Sequence, residues 1–113
     1  MSAQRKQQAG ASYNNKVDAW KAYSAATREA GMADLPRIFS ELMNVDLQVV
    51  SGGFACKCPF HDDKKPSMLV SPTGYKCQAA TCGVGGDVFK LVGHREIAHK
   101  FHDQVDFIAA MVG

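Results

Sequence analysis

The sequence predicts an α+β fold, in which a small antiparallel sheet is flanked by short helices, and three observations lead to it. Apolar residues first recur at the spacing of a core-facing helix, at Leu35, Ile38, Phe39, Leu42 and Met43. The period then changes to two, because Val45, Leu47 and Val49 alternate with polar residues as in a half-buried strand. Cysteines and a histidine punctuate the region of short strands that follows. Helices around a small, cross-linked sheet are the architecture that fits these patterns.

The N-terminal part of the chain contains two segments that precede the main domain. Residues 1–15 are polar and glutamine-rich, which is typical of a disordered arm. Residues 16–31 show a helical pattern and predict an additional helix, with Asn15 as its cap and Gly31 as its end. The domain itself is expected to span residues 32–113.

The elements of this domain follow from the spacing of its apolar and turn residues. In chain order we expect a helix from Pro36, a strand before the Gly52-Gly53 turn and one over 54–58, a hairpin of 67–70 and 75–77, and helices over 87–92 and 102–111. Residues 71–74 suit a type I turn in the hairpin. Residues 83–86 contain three glycines and predict irregular coil.

Composition and charge limit the functional classes. The chain has 113 residues, enough for one small domain, and its formal net charge is +2. No apolar run approaches the roughly 20 residues of a membrane span, and residues 1–15 lack the apolar core of a secretory signal. We therefore expect a cytoplasmic protein without a membrane partner, whose four cysteines are reduced rather than joined in two disulfides.

Four residues have the types and the spacing of a closed zinc site. Two residues separate Cys58 from His61, four separate Cys77 from Cys82, and proline or glycine allows a tight turn at each pair. Thiolates and imidazoles at about 2.0–2.3 Å in a tetrahedron are the usual ligands of structural zinc. The spacing predicts a zinc ribbon with one structural Zn²⁺ and no open position for catalysis. Cys56 is expected to be a core thiol, with a substitute ligand as the alternative.

Other interpretations of these residues stay open at the level of sequence. Buried, reduced thiols beside an ordinary histidine are one. A finger with two cysteines and two histidines is another, formed by Cys77, Cys82, His94 and His99. We favour the zinc site formed by Cys58, His61, Cys77 and Cys82 for two reasons. Glycines follow Cys82 where such a finger needs strand residues, and the Cys-Pro-Phe-His pair would otherwise have no role.

The run from Cys58 to Met68, with the segments 75–77 and 82–89, resembles the CHC2-type zinc-binding domain of bacterial and phage DNA primases. That family has a Cys-Pro-Phe-His knuckle, a Lys-x-Pro-Ser-aromatic strand and a Cys-x2-Cys-Gly-x-Gly-Gly-Asp segment before a helix. This chain departs from the pattern in two places. Its second ligand pair is separated by four residues instead of two, and Met68 replaces the usual aromatic residue.

The resemblance implies that the chain binds the single-stranded DNA template of a DNA primase and assists the start of RNA primers. Such binding needs cations for phosphates and exposed rings for bases, and the candidates beside the ligands are Lys57, Lys64, Lys65, Tyr75 and Lys76. A primase polymerase domain or a replicative helicase is the implied protein partner. The alternative is a free-standing phage or plasmid zinc-ribbon protein that acts as a protein-interaction or regulatory DNA-binding module.

Primer synthesis itself is not expected of these residues. Phosphoryl transfer needs clustered carboxylates that hold Mg²⁺, whereas the candidate acids Asp62, Asp63, Asp103 and Asp106 are scattered along the chain. No glycine-rich stretch continues into the Lys-Ser/Thr pair of a phosphate-binding loop. The chain is therefore expected to be the non-catalytic, zinc-binding part of a primase, with no catalytic residue of its own.

Overall fold

A computed structural model of the chain describes residues 11–62 and 64–113, with side chains from Lys16 onward. Within these residues the elements are α1 (Ala11–Ala33), α2 (Leu35–Met43), β1 (Gln48–Val50), β2 (Gly53–Cys56), β3 (Met68–Ser71), β4 (Gly74–Cys77), β5 (Gly85–Gly86), α3 (Val88–His94) and α4 (Phe101–Val112). The predicted α+β class is confirmed. In this described part of the chain, no helix is both long enough and apolar enough to cross a lipid bilayer.

The five strands form one antiparallel sheet in the order β1-β2-β3-β4-β5. Side chains alternate between its two faces, so the partners Leu69 and Lys76 share one face and are both exposed. The opposite face is buried and packs on the helices. Its largest contributions are Met68, Val70, Tyr75 and Cys77, each at most 2% exposed. We call these the open face and the helix-packed face.

The helix-packed face is covered mainly by α2 and α3. Leu35, Ile38 and Phe39 of α2 are fully buried in the same core cluster as the sheet residues. The rings of Phe39 and Tyr75 lie 5.5 Å apart between centroids. The predicted apolar stripe of this helix therefore contacts the sheet, and the open face is left to solvent.

The glycine-rich segment differs from its prediction, because Gly85 and Gly86 form strand β5 rather than irregular coil. Gly86 pairs with Tyr75, and Gly85 pairs with Lys76. A Cβ at residue 85 would lie 2.6 Å from the carbonyl oxygen of Tyr75, so only glycine permits this approach. The glycines serve close strand pairing, which strand propensity does not reveal.

Helix α1 is longer than expected. It begins at Ala11 and ends at Ala33, so Asn15 lies within the helix and is not its cap, and Gly31 does not end it. Residues 1–10 of the predicted arm lie outside the described residues, and the division into an arm, a helix and a domain stays a prediction. Gly31 is buried where α1 packs on α3 and α4, and this tight contact explains the glycine.

Gly31→Ala is expected to lower the free energy of unfolding by about 1–2 kcal/mol, although alanine favours helix by about 1 kcal/mol. A Cβ at this position would lie 2.8 Å from Cγ2 of Ile108 and 2.9 Å from Cγ1 of Val88, two side chains that are fully buried. Chemical denaturation of the zinc-loaded protein measures the change. Gly93→Ala is the comparison variant, since its Cβ would lie 3.0 Å from the amide nitrogen of Gln104, whose side chain is half-buried, and 3.8 Å from the carbonyl oxygen of Ala98. Equal stability of the two variants would refute the packing explanation.

Candidate metal centre and nucleic-acid interface

The metal centre is built on two turns at one end of the sheet. Cys58 and His61 lie in the turn that follows β2. Cys77 ends β4, and Cys82 lies in the turn before β5. The widened second turn is closed by its own backbone, because the N–H of Cys82 donates to the carbonyl of Ala79 at 3.1 Å. The two additional residues are therefore accommodated without opening the site.

The donor atoms of the four predicted ligands Cys58, His61, Cys77 and Cys82 all lie within 4.8 Å of one another. The Sγ atoms of Cys58 and Cys82 are 3.9 Å apart, and Nε2 of His61 is 3.4 Å from Sγ of Cys77. A tetrahedron with usual zinc bond lengths has sulfur–sulfur edges of about 3.8 Å and sulfur–nitrogen edges of about 3.6 Å. The geometry fits one structural zinc ion with four protein ligands.

The surroundings of the ligands orient them toward a common point. Nδ1 of His61 lies 3.1 Å from the carbonyl oxygen of Asp62, which leaves Nε2 to face the cysteines. The N–H of Phe60 donates to Sγ of Cys58 at 3.4 Å. Burial raises the pKa of the Cys58 thiol to about 12, and metal binding must displace that proton. Cys56 is buried but lies outside this group, in agreement with its predicted place in the core.

The rival finger with His94 and His99 is not formed, because neither histidine belongs to a group of possible metal ligands among the described residues. His99 is exposed. Nδ1 of His94 lies 2.7 Å from the hydroxyl of Tyr75, and its ring also contacts the edge of Phe60, with 5.4 Å between the centroids. His94 therefore supports the metal knuckle from outside instead of binding the metal.

The stability of the fold is expected to respond to the protonation of His94. Burial, and to a lesser degree the charge of Lys90, lower the pKa of His94 from its ordinary value of 6.5. The unfolded chain then binds a proton more readily than the folded one, so stability is lost as the pH falls below about 6.5. Solvent screens this half-buried group, and we expect a shift of only about 1–3 °C in the unfolding midpoint between pH 7.5 and 5.5. Thermal unfolding of zinc-loaded wild type and His94→Gln isolates the contribution of His94, since the two proteins have the same metal ligands. Identical pH dependence of the two proteins would contradict a role of His94.

The predicted nucleic-acid contacts are only partly consistent with the structure. Lys57, Lys64, Lys65 and Lys76 are all exposed. Lys76 lies on the open face, and Lys64 and Lys65 lie in the loop between His61 and β3. Tyr75 requires a correction. It is 2% exposed on the helix-packed face, with its hydroxyl at His94, so its ring offers no surface for a base to stack on.

Sequence reasoning missed several residues beside these lysines. Leu69 lies opposite Lys76 on the open face and is 41% exposed. The alternation of buried Met68 and Val70 around it was the signal that could have identified it. A groove of about 680 Å³ continues from this face past the hairpin to Arg28 of α1 and Lys90 of α3. No sequence pattern predicts that Arg28 approaches the sheet, because the approach depends on how α1 packs.

The comparisons with known proteins point in one direction. The family model described as CHC2 zinc finger matches residues 30–113. The DNA primase of Aquifex aeolicus is 41% identical over 59 residues, which are 52% of this chain and 11% of that protein. The DNA primase of Campylobacter jejuni is 39% identical over 69 residues, which are 59% of this chain and 11% of that protein. This chain therefore spans about a tenth of the length of these two relatives.

Two further similarities concern a phage protein and a solved structure. The gene 58 protein of Mycobacterium phage D29 is 49% identical over 43 residues, which are 36% of this chain and 32% of that protein. The crystal structure of the Aquifex aeolicus primase, comprising its zinc binding and RNA polymerase domains, has a TM-score of 0.65 and 31% sequence identity. That match covers 80% of this chain and 21% of the solved one.

Proposed function

This chain belongs to the CHC2 zinc-finger family, and from that membership we propose that it is the template-binding zinc domain of a DNA primase. The bacterial relatives with the same segment are DNA primases. The solved structure that this fold resembles joins a zinc-binding domain to an RNA polymerase domain. In the proposed role the chain holds the single-stranded template, and a polymerase domain makes the primer.

The metal stabilises the fold and does not take part in chemistry under this proposal. Four protein ligands leave no position for water or substrate on zinc. The ion instead links the turn after β2 to the turn between β4 and β5. It thereby holds together the ends of strands that form the open face. Contacts to DNA must then come from side chains beside the metal.

The open face is the surface best suited to a single strand. Lys76 offers a cation for a phosphate, and Leu69 offers an exposed apolar surface for a base at the paired position. Lys57 follows β2 and is exposed, and Lys64 and Lys65 are exposed in the loop that leads from His61 to β3. The exposed pair of Leu69 and Lys76 is the observation that supports the proposal most strongly.

A titration with a labelled single-stranded oligonucleotide tests the proposal. Zinc-loaded protein is expected to bind with an affinity that falls as salt rises, and the four lysines alone should give a slope of log K against log salt of about −3, at about 0.7 for each phosphate contact. Double-stranded DNA of the same sequence serves as the comparison. Absence of binding at 50 mM salt, or binding that does not change with salt, would refute the template role.

A second function is supported by the phage relative. The 43 matched residues make up 32% of the gene 58 protein, so that protein is itself short. A free-standing module that binds a protein partner is consistent with this similarity. A module of this kind is expected to show no salt-dependent affinity for single-stranded DNA. The same titration therefore distinguishes the two functions.

A further inference from the structure

The groove at the hairpin end of the sheet has a composition that suits an anion. Its volume of about 680 Å³ is within the range of ligand sites in proteins. Leu69 and Lys76 line it on the side of the open face, and Arg28, Asp87 and Lys90 line it on the other side. Three cations and one carboxylate give the described lining a positive balance.

Arg28 is held in a defined orientation at the rim of this groove. Its Nε donates to Oδ2 of Asp87 at 3.2 Å. The other carboxylate oxygen of Asp87 accepts from the backbone N–H of Lys90 at 2.8 Å, as the cap of α3. The carboxylate is thus fixed through both of its oxygens, and it fixes the guanidinium in turn.

The outer part of this guanidinium remains available. The side chain of Arg28 is 55% exposed. Among the residues that the structure describes, hydrogen bonds and ion pairs of Arg28 involve only Nε. The two terminal nitrogens form a planar fork that matches two oxygens of a phosphate.

We infer that Arg28 binds a phosphate group of single-stranded nucleic acid in this groove, so that α1 extends the track of cations beyond the zinc finger itself. This inference rests on the proposed function. Arg28 lies before residue 30, where the match to the family model begins. A strand that crosses Lys76 and Leu69 reaches the groove directly, because both residues also line it. Asp87 orients the arginine, and Lys90 adds a second cation for the same or the next phosphate.

Binding of the labelled oligonucleotide by Arg28→Gln, Arg28→Lys and Lys21→Gln tests this inference. Lys21 is the matched control, since it is exposed on the same helix but outside the groove. Arg28→Gln is expected to bind about fivefold more weakly and to reduce the salt slope by about 0.7. Arg28→Lys keeps the charge but loses the fork, and its affinity should be intermediate. Lys21→Gln should stay within about twofold of wild type, because an exposed charge away from the strand contributes little.

A double variant separates phosphate binding from neutralisation of Asp87. Arg28→Gln with Asp87→Asn removes both charges and retains a side chain that caps α3. It should remain weaker than wild type. Recovery of wild-type affinity would overturn the inference, because Arg28 would then only mask the carboxylate.

Two outcomes distinguish this inference from the proposed function. If wild type binds and Arg28→Gln and Lys21→Gln have equal affinities, phosphate binding by Arg28 is refuted and the template role is left intact. If wild type does not bind, both the template role and phosphate binding by Arg28 are refuted. Free nucleoside triphosphate is titrated in parallel as the other source of phosphate. An Arg28 dependence for the triphosphate alone would overturn the assignment to a strand. Zinc content and thermal unfolding of each variant show that the fold is retained.

Discussion

Cys77→Ser is expected to release the zinc ion and to unfold the sheet. Cys77 is 1% exposed at the end of β4, and its Sγ lies 3.4 Å from Nε2 of His61. Its backbone N–H also donates to the carbonyl of Val84 at 2.7 Å, which joins the two sides of the widened turn. Structural zinc supplies about 10–16 kcal/mol to small domains at neutral pH, as much as the whole stability of a typical domain. Loss of one thiolate should therefore leave no folded population.

Elemental analysis and far-ultraviolet circular dichroism measure this outcome. Wild type should contain one zinc per chain and unfold cooperatively, whereas Cys77→Ser should contain none and show no transition. Cys56→Ala is the matched control, because Cys56 is 5% exposed in the same core but outside the metal group. It should keep its zinc at a cost of about 1 kcal/mol. A folded, zinc-loaded Cys77→Ser protein would contradict the assignment, and zinc loss from Cys56→Ala would show that Cys56 is a ligand.

Simultaneous replacement of Lys57, Lys64, Lys65 and Lys76 by glutamine is expected to weaken single-stranded DNA binding about 100-fold or more at 0.1 M salt. Each lysine that neutralises a phosphate contributes about −0.7 to the slope of log K against log salt, so the slope should become shallower by about 3. All four side chains are exposed, and the fold should be unaffected. Fluorescence anisotropy over a salt series measures both quantities.

The control for the lysine variant removes cations from elsewhere on the surface. Lys16, Lys21 and Lys100 are also exposed, and they lie on α1 or just before α4. Their joint replacement lowers the net charge without touching the open face. The loss of affinity for each charge removed should be far smaller than in the variant that lacks the four lysines of the proposed DNA-binding surface. An equal loss for each charge removed in the two variants would mean that DNA responds to net charge alone and that no specific face binds it.

The metal ligands were predictable from sequence because each pair is local. Cys58 with His61, and Cys77 with Cys82, are a few residues apart on tight turns, so spacing alone limits where the side chains lie. Their convergence then requires only the hairpin between them. The stripe of α2 was predictable for a similar reason, since periodicity within one helix determines which side is apolar.

The errors at Gly31 and at residues 85–86 arose where tertiary packing decides, whereas the error at Tyr75 did not. Strand β5 consists of Gly85 and Gly86, residues that are depleted in strands. It pairs with β4 at a distance that leaves no room for a Cβ at residue 85. The position of Tyr75 was deducible, because alternation places it on the same face as Cys77 and opposite to Lys76. Gly31 resembled a helix end, but its place between α1, α3 and α4 depends on contacts far away in sequence.

In the proposed role zinc stabilises the fold, and the open face of the sheet binds the single strand. Titration of zinc-loaded, ¹⁵N-labelled protein with an unlabelled single-stranded oligonucleotide, followed by amide chemical shifts, locates the DNA on the protein surface. We predict the largest changes at Lys57, Leu69 and Lys76 and in the loop with Lys64 and Lys65, with little change along α2. Changes confined to the helices, or none at oligonucleotide concentrations that saturate binding, would refute DNA binding by the open face.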